Sequence, residues 1–282
     1  MTQVSNNCTS STIRLRMVAL VGTGAITVIS GGVLDLNGKT IANAINLNGT
    51  GISSSGALIN SSSTAAVANG NVVLQSATAI GVATGNQITL ATGAISSSTN
   101  TFALGINSGV SQTGTVIFSG SNSYLGTTTI NGGTLVITNA TGLGTTAGNT
   151  VIASGATLDL QAVTVGAEAM TINGGTLKTS TGTSSLTGAI TLGANTILTL
   201  GSGSLSFTGT VNSDGTARTL STTNSTTTSF ADVVGGSSAL SSLTISTASM
   251  SATTIRLTGA LSVTNSSTGT PSTITGAISG TT

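Results

Sequence analysis

Stretches in which every second residue is aliphatic recur along the whole chain, and this alternation constrains its fold more than any other feature. Four of them place one charged residue between two aliphatics: Ile13-Arg14-Leu15, Leu34-Asp35-Leu36, Leu158-Asp159-Leu160 and Ile255-Arg256-Leu257. Successive side chains of a strand point to opposite faces, whereas a helix would spread each triplet around its axis. The alternation therefore predicts half-buried strands whose aliphatic side chains face a core and whose charges face water.

Glycine and asparagine separate these strands at short intervals, and no segment shows helical periodicity. Both residues tolerate positive φ and so allow sharp corners. Asn-Gly pairs occur at 37–38, 48–49, 69–70, 131–132 and 173–174. Further strand candidates follow the same alternation at 88–90, 116–118, 135–137, 190–192, 197–200, 205–207, 243–245 and 261–263. The sequence therefore predicts an all-β fold.

One unit recurs in variants along the chain: ISGGVLDLNG (29–38), INGGTLVITN (130–139), ASGATLDLQ (153–161) and INGGTLKTS (172–180). Where copies follow each other directly, their glycines stand about 20 residues apart, which is the length of one coil of a parallel β-solenoid. Ordering the backbone of one coil costs more free energy than its few inward aliphatics return. Such coils can therefore fold only when they stack on one another.

We predict one domain over residues 13–282, a single-stranded parallel β-helix (β-solenoid) of about 12–14 coils. A polar leader over residues 1–12, predicted to be poorly ordered, precedes it. Asn-Gly between alternating strands also favours hairpins, so tandem antiparallel sandwiches are an alternative, and a membrane β-barrel alternates in the same way. Sandwich cores and barrel girdles use aromatic residues, whereas this chain has no Trp, one Tyr and four Phe. The aromatic content therefore favours the solenoid.

Charge is scarce in this chain and excludes several classes of function. Charged residues make up 4% of the sequence, against about 25% in ordinary proteins. Six basic and five acidic residues leave no cluster of cations for nucleic acid, and no apolar run reaches the roughly 18–20 residues of a membrane helix. The absence of histidine removes Ser-His-Asp and Cys-His nucleophiles and most zinc sites. Cys8 is the single cysteine, so no intrachain disulfide can form.

The five acids are Asp35, Asp159, Glu168, Asp214 and Asp232, and they are far apart in sequence. Asp35 and Asp159 share a motif position, which predicts that they lie on the same outer face as solvated charges that oppose aggregation. A catalytic pair, as β-helical glycosidases require, is the competing hypothesis. We predict no catalytic, cofactor-binding or metal-binding residue and no cofactor, and the partner-binding residues stay unknown.

Threonine-rich stretches at 126–130 and 221–230 favour flat ladders of hydroxyl groups on outer strand faces. An ice-binding face is one hypothesis for such a ladder. Solvated strand surface is the default interpretation of both stretches.

The best-matching repeat unit covers residues 113–161. Its characteristic residues are Ser119, Gly120, Asn122, Tyr124, Gly126, Thr128, Ile130, Gly133, Thr134 and Leu135. In this order they closely resemble the passenger-associated repeat of bacterial autotransporters, and Leu125 is a minor departure from the Thr or Ser common there. The flanking chain looks like degenerate repeats of large adhesins, and residues 233–246 are similar to repeats of giant bacterial surface proteins.

The resemblance implies a right-handed parallel β-helix that is extracellular, secreted or displayed at the bacterial cell surface. It implies a role in adhesion, aggregation or as a stalk, and it carries over no catalytic residue. The export signal and the export barrel of that family are expected outside this chain. A non-adhesive structural spacer is one alternative, and a β-helical polysaccharide-active enzyme or phage tailspike segment is another.

The partner that follows from the resemblance is an unknown host or neighbouring-cell surface protein or glycan, with self-association as a further possibility. No nucleic-acid partner and no membrane span are predicted.

Overall fold

The computed structural model describes residues 7–8, 14–16, 22–109, 111–223, 226–267 and 269–280. Parallel strands stack in it as a β-solenoid of about 11 turns, which confirms the predicted fold class. Within the described part of the chain there is no α-helix, and Ile52–Ser54 forms one turn of 3-10 helix. The leader predicted over residues 1–12 lies outside the described residues apart from 7–8. The chain divides into two compact units, Met1–Gly148 and Asn149–Thr282.

The first unit contains short strands in parallel sheets. The strands are β1 Asn7–Cys8, β2 Arg14–Arg16, β3 Ile26–Val28, β4 Val33–Asp35, β5 Thr40–Ile41, β6 Ile45–Gly49, β7 Leu58–Asn60, β8 Ala66–Ala68, β9 Val72–Val82, β10 Gln87–Leu90, β11 Ile95–Ser96, β12 Leu104–Ile106, β13 Thr115–Phe118, β14 Thr128–Ile130 and β15 Thr134–Ile137. One sheet has the order β5-β8-β10-β13-β15. In the other, the long strand β9 pairs with β6 at one end and with β7 at the other, so two faces of the coil merge there.

The second unit is more regular, and each of its first four coils contributes a strand to each of three faces. The strands are β16 Asn149–Ile152, β17 Thr157–Gln161, β18 Thr164–Val165, β19 Ala169–Ile172, β20 Thr176–Thr181, β21 Thr183–Leu186, β22 Ile190–Leu192, β23 Thr196–Thr199, β24 Ser204–Phe207, β25 Val211–Ser213, β26 Thr219–Thr223, β27 Thr227–Phe230, β28 Ser242–Thr247, β29 Ser249–Ala252, β30 Ile255–Leu257, β31 Leu261–Asn265, β32 Thr273–Ile274 and β33 Ile278–Gly280. The three faces run β16-β19-β22-β25, β17-β20-β23-β26-β28-β31 and β18-β21-β24-β27-β29-β32.

The core consists of columns in which each aliphatic side chain contacts its counterpart in the next coil. Met170, Ile190 and Val211 are in register on successive strands, and each is almost fully buried. Phe207 and Phe230 stack with ring centroids 5.1 Å apart and planes 5° from parallel. Because inward residues of one coil pack on those of its neighbours, the core belongs to the stack and not to a single coil, as the repeat length predicts.

Coil lengths vary more than the repeat suggests. Paired positions of neighbouring coils are 19 residues apart at Thr27 and Asn46 but 28 apart at Gln87 and Thr115. The longer coils carry extended corners, and these reduce the number of turns from the predicted 12–14 to about 11. One such corner, in the first unit, forms the candidate site.

Candidate functional site

The characteristic residues of the repeat lie in the core and at the corners of their coil. Tyr124 is fully buried, and its hydroxyl is 2.7 Å from the Thr128 Oγ1. Asn122 is nearly as buried and accepts a hydrogen bond from the Ile95 backbone N–H at 2.8 Å. Its Nδ2 donates to the Gly142 carbonyl at 2.7 Å. These side chains bind adjacent coils together, which explains why the repeat uses them.

Glycines of the same repeat allow neighbouring backbones to approach closely. A Cβ at Gly126 would collide with the carbonyl oxygen of Phe102 in the coil below. Gly133 has φ of +59° and would collide with the Gly114 carbonyl oxygen if it carried a side chain. Both positions therefore need glycine for steric reasons, and the second also needs it for its backbone conformation.

Buried asparagines hold the corners of the first unit in register. The Asn60 Oδ1 accepts from the backbone N–H groups of Gly38 and Ser62, and its Nδ2 donates to the carbonyls of Thr64 and Gln87. All four bonds measure between 2.7 and 3.2 Å. One side chain thus satisfies backbone groups of three successive coils, which would otherwise be buried without partners.

Asn107 has the same function two coils further along. Its Oδ1 accepts from the Val82 N–H at 2.8 Å, and its Nδ2 donates to the carbonyls of Gly114 and Gly132. The residue is almost fully buried and has φ of +53°, a conformation that asparagine tolerates better than most residues.

The prediction that Asp35 and Asp159 are solvated outer-face charges is wrong. Asp35 is 0% exposed and accepts hydrogen bonds from the Ser61 N–H and Oγ and from the Asn37 N–H. Asp159 is 4% exposed and accepts from the Ser180 N–H at 2.9 Å. Both carboxylates do point away from the inward aliphatics beside them, but the next coil covers each of them: Asp35 binds the corner at Ser61, and Asp159 binds the backbone of Ser180 in strand β20. Arg256 is exposed, as predicted.

Glu168 is the acid with the most unusual environment. It is 4% exposed, and its Oε1 accepts a hydrogen bond from the buried Thr150 Oγ1 at 2.9 Å. Burial raises the pKa of this carboxyl to about 7, and the bond from Thr150 opposes the rise only in part. Glu168 is therefore partly protonated at neutral pH.

The remaining acids lie at the surface. Asp214 and Arg218 form a two-point ion pair with distances of 3.0 and 2.8 Å, which lowers the pKa of Asp214. Asp232 is exposed. Over the described residues, no group of three or more His, Cys, Asp or Glu side chains could hold a metal ion. The side chains of Cys8 and Arg14 lie outside the described part.

A hydroxyl ladder does exist on the second unit, on the face that begins at β18. Its outward residues are in register from coil to coil: Thr164, Ser185, Ser206, Ser229, Ser251 and Thr273. The ladder predicted for 221–230 contributes Ser229 to this row. Ice binding stays a hypothesis for it.

The candidate functional site is a cleft of about 470 Å³ on the outer face of the first unit. Leu34, Leu58 and Ile80 form an inward column there, so Ile59 and Gly81 face outward. Ile59 is nevertheless 7% exposed. A Cβ at Gly81 would collide with the Ser55 carbonyl and the Gln112 amide, so two extended corners lie directly on this face.

The two corners that cover the cleft are tied to each other. Gln112 donates from Nε2 to the Ser55 carbonyl at 2.5 Å and accepts from the Gly109 N–H at 2.8 Å. Three non-glycine residues in these corners, Ser53, Ser54 and Ser111, have φ between +50° and +62°. Such strained positions persist only where the surroundings hold them, and they cluster at binding sites.

The lining of the cleft combines an apolar floor with a neutral polar rim. The lining residues are Val33, Ile52, Ser55, Ile59, Asn60, Ser61, Gly81, Ala83, Ser111 and Gln112. None of these residues is charged. The sequence contained only a weak signal for the site. Extra residues lie between β6 and β7 and between β12 and β13, and no motif marks them as a binding site.

Comparison with known proteins adds one match. The helices of the described residues include none long and apolar enough to cross a bilayer. No curated protein and no solved structure matches the chain. Residues 111–137 match the family model of the passenger-associated-transport-repeat, which confirms the resemblance to autotransporter passengers on the segment that carries Asn122, Tyr124 and Gly126.

Proposed function

We propose that this chain is part of a secreted or surface-displayed autotransporter-type passenger that acts as a rigid adhesive or stalk element at the bacterial cell surface. The passenger repeat and the β-solenoid fit an autotransporter passenger. The observation that carries the proposal is that the matched segment is itself one of the stacked coils, with its characteristic residues bound to the coils beside it.

Rigidity is supported by the way the coils are joined. Parallel ladders such as β10–β13 bind each coil to the next along its strands. Buried amides such as Asn60 and Asn107 then fix the corners between the strands. A coil cannot bend away from its neighbours without breaking these bonds in a buried setting, where each lost bond is costly.

A structural role is also supported by the use of the buried acids. Asp35 and Asp159 accept hydrogen bonds from backbone N–H groups of the coil that follows each of them, at Ser61 and Ser180. Carboxylates that are occupied in this way stabilise the stack and are poorly placed to act on a substrate. We therefore propose no enzymatic activity.

The proposed partner is a surface protein or glycan of a host or neighbouring cell, with self-association between displayed copies as a further mode. Export through a barrel would depend on a part of the protein beyond this chain.

Surface display tests the proposal. The chain is fused to a heterologous export barrel, and cell clumping and binding to glycan-coated and protein-coated beads are compared with cells that display the barrel alone. Adhesion that requires the chain supports the adhesive role. Display without adhesion, together with elongated particles of the purified chain by electron microscopy, would favour the spacer, and compact globular particles would refute both.

A further inference from the structure

We propose that the outer-face cleft between strands β4, β7 and β9 and the corners that carry Ser55 and Gln112 binds a neutral saccharide unit. The inference deepens the adhesive role and depends on it for its biological use only, because binding in solution needs no display. Its basis is the shape of the cleft, its preformed walls and the chemistry of its lining.

The size of the cleft suits a small ligand. Its volume of about 470 Å³ lies within the 300–1,000 Å³ or so that is usual for small-molecule sites. Regular coils present a flat outer face, whereas here two long corners rise above the sheet and enclose the space beside Ile59. The enclosure gives a ligand contacts on several sides.

The walls are held in place without a ligand. Gln112 fixes the corner at 109–112 to the corner that contains Ser55, 57 residues earlier in the chain. At the rim, Ser61 is fixed by two hydrogen bonds to the buried Asp35, one of 3.1 Å from its N–H and one of 2.6 Å from its Oγ. A preformed site loses little conformational freedom on binding.

The lining selects a neutral ligand with hydroxyl groups. No charged residue lines the cleft, so an ionic ligand would lose hydration without gaining a counter-charge. Hydroxyls of Ser55 and Ser111 can both donate and accept, and the Ser61 Oγ, which donates its proton to Asp35, can still accept, which matches ligand hydroxyls that donate and accept. Ile52 and Ile59 offer an apolar surface to the C–H groups of a sugar ring. An entirely apolar ligand would leave the serine rim desolvated.

The test uses the purified chain and an array of immobilised neutral and sialylated glycans, followed by saturation-transfer NMR with the free sugars. Neutral glycans are expected to bind. Two variants should weaken that binding about tenfold or more: Ala83→Leu, which fills the cleft, and Ile52→Ala, which removes an exposed part of its apolar wall. Ala153→Leu is the matched control, because Ala153 is equally half-buried at a corner of the second unit, and it should bind normally.

Each outcome decides the proposal. Binding of neutral glycans that both cleft variants reduce supports it. Absence of neutral-glycan binding, stronger binding of sialylated glycans, or binding that survives Ala83→Leu overturns it. The display assay is scored separately. Absence of neutral-glycan binding by the purified chain would overturn the saccharide cleft even if displaying cells adhere, and saccharide binding without adhesion of displaying cells would overturn the adhesive role but not the cleft.

Discussion

The two units build the same kind of coil in different ways. The first has long corners, the merged strand β9 and six of the seven non-glycine positive-φ residues recorded over the described part of the chain. The second has three continuous faces and only Ala162 among those residues. In regular coils the outward residues are exposed to solvent, whereas in the first unit the long corners fold back over outward residues and form a cleft. Irregularity within a solenoid is therefore where a site can arise.

The first test concerns a feature that both units share, namely glycines at which the backbones of neighbouring coils approach closely. A Cβ at Gly126 in the first unit or at Gly188 in the second would collide with a backbone carbonyl of the preceding coil. We expect Gly126→Ala and Gly188→Ala each to destabilise by about 3–5 kcal/mol, since backbone must move in two coils. Urea unfolding followed by circular dichroism measures this.

Gly22→Ala is the control, because no atom lies within 4 Å of the position of its Cβ. If Gly126→Ala lowered the free energy of unfolding as little as Gly22→Ala does, the coils would be less tightly stacked than the contacts at Gly126 indicate.

The next largest effect on stability should differ between the two units. Asn107→Ala in the first unit leaves the buried Val82 N–H without its acceptor and removes one bond each from the Gly114 and Gly132 carbonyls, for which we expect a loss of about 2–4 kcal/mol. Asn195→Ala in the second unit removes one exposed bond to the Thr219 N–H and should cost less than about 0.5 kcal/mol. Equal costs in urea unfolding would contradict the idea that buried amides hold the irregular corners.

A pH effect on stability is expected from Glu168, the buried acid of the second unit. The folded pKa of Glu168, about 7, exceeds the ordinary 4.5, so its contribution to stability is complete below pH 4.5 and is lost as the pH rises through 7. The difference amounts to about 3 kcal/mol at most. Glu168→Gln should make the free energy of unfolding less dependent on pH between pH 5 and about 8, and should raise it at the alkaline end of that range.

Asp214→Asn provides a comparison of opposite sign. The pKa of Asp214 is lowered by its bond to Arg218, so its contribution is lost as the pH falls and not as it rises. Unfolding curves at several pH values distinguish the two, and a Glu168→Gln protein with the parental pH profile would refute the assignment.

The smallest expected effect is a gain of stability. Thr222 and Thr228 face the core of the second unit, and their hydroxyls have no hydrogen-bond partner among the described residues. Thr228→Val should stabilise by about 1 kcal/mol, because it removes a desolvated hydroxyl at nearly constant volume. Thr128→Val in the first unit should destabilise by a similar amount, since the Thr128 hydroxyl is bound to Tyr124. Thermal unfolding of both variants checks the opposite signs.

Several elements of the fold could be predicted because they depend on neighbours in sequence. The candidate at 116–118 lies in β13 and that at 205–207 in β24, each with alternate residues buried. The candidate at 197–200 shows where the pattern is insufficient. Ile197 and Leu198 are both aliphatic, and only pairing with Leu177 decides that Leu198 is buried while Ile197 is 59% exposed.

The candidate site shows the same limit more clearly. Nothing within a few residues of Ile59 indicates that its outward side chain is covered, because the cover includes a corner near Gln112. The burial of Asp35 likewise depends on Ser61, 26 residues later in the chain. The sequence predicted the outward side for Asp35, and it missed the corner that covers this residue.

The sequence by itself therefore determined the coil: alternation sets which residues face inward, and glycine and asparagine set where the chain turns, because both depend on local backbone geometry. Only the tertiary structure decided which outward residues are excluded from solvent and where a cleft forms. Those outcomes depend on the length of corners that come from other coils, and corners separated by 57 residues meet only after the coils have stacked.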